Sequence, residues 1–202
     1  MSYASVQAGA FSRSVPETPD ETLGQDFLTW LWYRGETSGG FKSALGEEFS
    51  VIMEKRVVVR GGEGELAETA SVSGAASELR EARLGLTTGK KVIRALIRLD
   101  RSQTKKDLGQ NPAAGQEEAE ESWQFALKAE DFSLGGFKTP KISGGLEKDE
   151  DPEAIFFEKV YLLEKGLEFL DALFRFFLNL RLGGEWQEEL AAIRRWMYPE
   201  AA

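Results

Sequence analysis

The sequence predicts an α+β fold: an antiparallel sheet of about four strands packed against an N-terminal aromatic helix and a long C-terminal helical hairpin. Three observations predict it. Apolar and polar residues alternate over residues 49–60, 90–101 and 122–131, the period of strands with one buried face. Residues 23–36, LGQDFLTWLWYRGE, place Phe27, Trp30, Trp32 and Tyr33 with Leu28 and Leu31 in a wide helical arc. Residues 153–182 are crowded with Phe and Leu yet carry a charge every few positions, which suits a long packed helix and not a membrane span.

Each element has its own local reason. Asp20 or Thr22 caps the first helix, Asp26 favours its dipole, and Gly35, Gly39 and Gly40 end it. Leu23, Phe27, Trp30, Leu31 and Arg34 share one face, with Leu28 and Trp32 to the side, so this helix is expected to be sandwiched. In the first strand Phe49, Val51, Met53, Lys55, Val57 and Val59 fall on one side, and Ile52, Glu54, Arg56, Val58 and Arg60 on the other. Residues 61–64, GGEG, read as a turn, and residues 65–73 pair back as a second strand. A short helix follows through Leu79, Ala82, Arg83 and Leu86. In the next strand Ile93, Ala95, Ile97 and Leu99 face the core. Lys90, Arg94 and Arg98 face the other way, with Val92 and Leu96 between them. Trp123, Phe125, Leu127 and Ala129 form the apolar side of its antiparallel neighbour. Residues 102–121 between these two strands read as a disordered loop, and residues 132–152 as a second loop. Pro152 suits the first turn of the long helix, Gly183 and Gly184 break it, and residues 185–198 form the last helix.

The 202 residues divide into a mobile leader, 1–19, and a single α+β domain, 20–202. There is no cysteine and no histidine, which removes disulfides, thiolate chemistry, the usual general base and the commonest metal ligand. No catalytic motif, cofactor site or metal site is expected. No signal peptide or membrane span is legible, so the expected compartment is the cytoplasm.

The net charge of -9 opposes bulk attraction to nucleic acid, but charge is unevenly spread. Residues 49–106 hold twelve Lys or Arg against seven Asp or Glu. Lys90, Arg94 and Arg98 line one strand face, Lys91 sits beside them, and Lys128 on the expected neighbour adds to the positive charge. Such a face can meet phosphates, or be an ordinary wet strand face. The acidic runs at 117–121 and 147–153 lie in loops and read as solvated linkers. The GGEG and TTGKK stretches read as turns, since neither feeds a helix. The aromatic stretch at 27–33 has the period of packing, in a core or an interface, more than of base stacking.

Four blocks carry a resemblance: LGQDFLTWLWYRGE, EKRVVVRGGEGELAETASVSG, SELREARLGLTTGKKVIRALIRLDR and WQFALKAEDFSLGGFKTPK, followed by the Phe/Leu-rich helix. In order and spacing they resemble the C-terminal half of the recombination-associated protein RdgC family. The resemblance implies a non-enzymatic, nucleoid-associated protein linked to recombination and replication. It implies double-stranded DNA held by its backbone, without sequence preference, inside a homodimeric ring. The family also bears an exonuclease label, for which this chain offers no catalytic motif. The residues expected at DNA are Lys90, Lys91, Arg94, Arg98, Arg101, Arg56 and Arg60. Those expected at a subunit interface are Trp30, Trp32, Phe174 and Phe177. The chain lacks the family's N-terminal half, so the alternative is an interaction module that docks a separate chain supplying it.

Overall fold

The computed structural model describes residues 21–38, 40–61, 68–73, 76–102, 120–141 and 152–198. The elements are α1 (Glu21–Thr37), β1 (Phe41–Lys42), β2 (Glu48–Gly61), β3 (Glu68–Ser73), α2 (Ala76–Thr87), β4 (Lys91–Ser102), β5 (Glu120–Lys128), β6 (Leu134–Lys138), α3 (Pro152–Leu182) and α4 (Trp186–Met197). The expected leader, 1–19, and nearly all of the expected loop at 102–121 lie outside the described residues.

The α+β class holds, but the sheet has six strands where about four were expected. Its order is β1-β2-β4-β5-β6, and β3 pairs with the stretch of β2 beyond β1, on the same edge. All the pairings are antiparallel. The two strands that sequence reading missed are short. β1 has two residues, too few to show a period. β6 is LGGFK, whose paired glycines read as a turn, and it corrects the expected loop at 132–152.

Alternation placed most of the core correctly. Phe49, Val51, Met53, Val57 and Val59 of β2, Ala95, Ile97 and Leu99 of β4, and Trp123, Phe125 and Leu127 of β5 are all buried. The exception is Val92, expected on the wet side. Val58 pairs with Arg94, but Val59 pairs with Val92, so β4 carries one extra residue there. A one-residue bulge reverses the parity of a strand, and it turns Val92 into the core beside Val59.

The helices cover that inner face. α1 lies on β2 and β4, and α3 and α4 lie around α1. Phe27 meets Phe174 and Phe177 at 5.1 and 5.3 Å, and Trp32 meets Trp196 at 5.5 Å between ring centres. α3 also reaches the sheet directly. Phe169 stacks on Phe49 at 4.6 Å, and the Trp123 indole Nε1 donates to the Leu162 carbonyl at 2.8 Å. α1 runs past Gly35 to Thr37, contrary to the expected stop. Gly35 and Gly24, eleven residues apart and so on one side of the helix, are there for contact. A Cβ on Gly24 would lie 2.1 Å from the Ala129 carbonyl oxygen, and one on Gly35 would lie 2.9 Å from that of Val51.

Helix propensity alone favours alanine over glycine by about 1 kcal/mol. Here Gly24→Ala is expected to do the opposite, lowering stability by about 1–3 kcal/mol as α1 is pushed off the β5 turn. Urea unfolding followed by tryptophan fluorescence checks this; a rise in the midpoint would show that α1 does not sit so close.

Candidate nucleic-acid interface

The outer face of the sheet is the site that the sequence pointed to. Side chains on this face alternate with the core residues of each strand. They are Ile52, Glu54, Arg56, Val58 and Arg60 on β2, Lys91, Arg94, Leu96, Arg98 and Asp100 on β4, and Ser122, Gln124, Ala126 and Lys128 on β5. All four helices contribute to the core on the opposite side. Arg56, Lys91 and Arg94 are exposed, and none of these outer residues is aromatic.

The seven expected DNA-contacting residues divide into two groups. Four are engaged within the chain. Arg98 Nε donates to Asp100 Oδ2 at 2.9 Å, and its Nη1 lies 3.3 Å from Glu54 Oε1. Arg60 reaches Glu130 at 3.2 Å. Lys90 lays its aliphatic stem against Gly61 and Gly85 and also has a partner. Arg101 lies mostly buried between Glu47 and Glu121, each at 3.0 Å. The other three, Arg56, Lys91 and Arg94, have no ion pair among the described residues.

Strand register gives the face its electrostatic character. Arg94 stands directly opposite Lys128, and Arg60 directly opposite Lys91. Like charges in cross-strand register repel and cost stability. Only Arg60 of these four has an ion pair among the described residues, with Glu130. Lys128 runs its stem over Gly135 of β6, with its Cε 3.6 Å from where a Cβ would stand. Lys138, opposite Gln124 on β6, adds another exposed cation. Lys138 went unselected because its strand was read as loop.

The four residues expected at a subunit interface are placed differently. Trp30, Trp32 and Phe177 are 0% exposed inside the chain's own core, so they are not a surface for a partner. Phe174 is half-buried at the edge of an apolar pocket. An aromatic helix enclosed by its own neighbours has the same period as one enclosed by another subunit, which is why sequence could not separate the two.

A buried charge cluster escaped sequence reading. Lys165 sits on the inner side of α3, bonded to Glu47 and, at 3.3 Å, to Glu168, and Arg101 holds Glu47 from the strand side. Burial disfavours the Lys165 charge, but the hydrogen bonds to Glu47 and Glu168 outweigh it and raise its pKa above the ordinary 10.5. Among the described residues no group of three or more carboxylates is arranged to hold a metal ion. Nor is any helix there long and apolar enough to cross a membrane. Comparison of the chain with protein-family models, with curated proteins and with solved structures returns no match.

A raised folded-state pKa means that the Lys165 pairs contribute stability below its unfolded pKa and lose it as pH climbs through the folded value. Urea stability of the wild type is therefore expected to fall above about pH 10.5 more steeply than that of Lys165→Met. At neutral pH the variant should be less stable by on the order of 2 kcal/mol, since Glu47 and Glu168 are only partly buried. Parallel curves above pH 10.5 would show that Lys165 is not paired.

Proposed function

We propose that this chain binds the backbone of double-stranded DNA, without sequence preference and without chemistry of its own, through the outer face of its sheet. The observation that carries the reading is the Arg94–Lys128 cross-strand pair, two like charges in register and without ion pairs among the described residues. A phosphate between them relieves the repulsion, which Asp131 offsets only from the Lys128 side. Arg56 and Lys91 extend the same face. Its lack of aromatic side chains favours backbone contact over base stacking. The reading agrees with the resemblance to the RdgC family, and with it go a nucleoid location and a role in recombination or replication. The engaged residues Arg60, Arg98 and Arg101, with Lys90, serve the fold more than the ligand.

A second reading is an interaction module that docks another protein chain, such as one supplying the RdgC family's N-terminal half. It is favoured by the first turns of α3, where Phe156, Phe157 and Tyr161 are 61%, 60% and 54% exposed.

The test is anisotropy titration of a labelled random duplex. If Arg56, Lys91, Arg94 and Lys128 each neutralise one phosphate, the slope of log affinity against log salt should be about -3 to -4, a loss of roughly 100-fold between about 50 and 200 mM salt. Arg94→Glu combined with Lys128→Glu should weaken binding at least about tenfold and flatten the slope by about 2. Arg98→Gln should change affinity only slightly. No binding at low salt, or a double variant that binds like wild type, would remove the proposal.

A further inference from the structure

We propose that the open edge of β6 takes up an extended segment of another protein as an added strand, and that acidic residues alternate with apolar ones along that segment. Neither reading above uses this edge: the docking reading rests on α3, and only Lys128 is shared with the duplex face.

β6 is the last strand of the sheet, with β5 on one side only. Such an edge presents unpaired backbone N–H and C=O groups along its free side, a template for another strand. Four of its five residues are exposed, Phe137 being the exception. Gly135 and Gly136 bring no side chain to the edge. Gly135 is the extra residue where the register with β5 shifts, since Gly136 pairs with Ala126 and Leu134 with Leu127. Gly136 has no such reason. A Cβ there would meet only the Ala126 side chain, at an ordinary 3.8 Å, and its backbone is not left-handed. A glycine inside a strand weakens it, and marks a place where another backbone comes close.

Cross-strand partners share a face, so the register sorts the side chains of β6. Lys138, opposite Gln124, and Gly136, opposite Ala126, belong to the outer face. Leu134, opposite Leu127, and Phe137, opposite Phe125, belong to the inner face. The outer side of the edge is cationic. Lys138 and, three residues on, Lys141 are exposed and have no ion pair among the described residues. Lys128 carries its stem across Gly135 toward the edge, its charge offset in part by Asp131. The inner side is apolar and incompletely covered: Leu134 is 42% exposed, and Phe132, just ahead of the strand, is 36% exposed.

The period of two in the added strand turns these two sides into a sequence pattern. Residues on its outer side lie beside Lys138 and Lys128 and are acidic. Residues on its inner side cover Leu134 and Phe137 and are apolar. β6 spans about 17 Å, so a segment of about five to seven residues fills the edge. Backbone hydrogen bonds supply the affinity, and the alternating side chains the choice of partner. The same lysines guard the edge against the β6 of another copy, which carries the same charge.

The probe is a fluorescein-labelled octapeptide of alternating Glu and Val. Its controls are a Lys/Val peptide and a Glu/Val peptide methylated at alternate backbone nitrogens. Anisotropy should show saturable binding of the Glu/Val peptide, at least about tenfold tighter than either control. Hydrogen exchange across residues 134–138 should slow when that peptide is added, and exchange across β3 should not. Lys138→Glu combined with Lys141→Glu should weaken peptide binding at least about tenfold and cost the random duplex less. The melting temperature should not change, since both side chains are exposed. No binding of the Glu/Val peptide, or equal binding of its methylated form, overturns the proposal. Equal losses of peptide and duplex would assign these lysines to the duplex face. Protection of β6 that grows with protein concentration alone would assign the edge to a second copy. Either outcome overturns the proposal as well.

Discussion

A helix with tryptophans on opposite sides has to be enclosed, and that constraint organises this protein. Trp30 and Trp32 of α1 are both fully buried although they project about 200° apart. No single sheet can cover both, so the sheet takes one side and α3 and α4 take the rest. Each indole N–H then needs an acceptor, since a buried unpaired donor costs about 1–3 kcal/mol. Glu189 of α4 accepts from Trp30 Nε1 at 3.0 Å and from Arg34 Nε at 2.6 Å. Glu36 accepts from Trp32 at 2.8 Å, from Trp196 of α4 at 2.8 Å and from Arg83 of α2 at 2.9 Å. Two carboxylates thus bind three helices together where the apolar contacts leave polar edges.

That arrangement spends all four helices on one face of the sheet and leaves the other free for charge. Part of the charge there is used internally. Glu54, Asp100 and Glu130 neutralise Arg98 and Arg60. What remains positive does so by register, because β4 and β5 pair so that Arg94 meets Lys128. An acidic chain can thus hold a local cationic face, and the two properties act over different ranges. At physiological salt the chain's net charge is screened beyond about 8 Å, while cross-strand neighbours lie well inside that distance.

Much of this was legible in the sequence. The α+β class, the aromatic helix, the long Phe/Leu helix and the inner faces of β2, β4 and β5 followed from period alone. Arg94 and Arg98 were placed on the outer face by the same alternation. β6 was not legible, because its glycines carry turn chemistry and its pairing is decided by β5. Val92 was misplaced because a bulge depends on how two strands meet. Lys165 gave no signal, since a lysine in an amphipathic helix reads as solvated until Glu47 arrives from a residue far away in the chain.

By itself, then, the sequence determined which segments are helices and strands and which face of each is apolar, since these depend on neighbours a few residues apart. Only the tertiary structure decided what covers each apolar face and which charges find partners. It enclosed Trp30, Trp32 and Phe177, which the sequence had offered to another subunit, and left Phe156 and Leu163 bare. It paired Arg60, Arg98 and Arg101 and left Arg94 opposite Lys128. The physical reason is the same in both cases: burial and ion pairing are properties of groups that meet through space, and local periodicity carries no record of which groups those are.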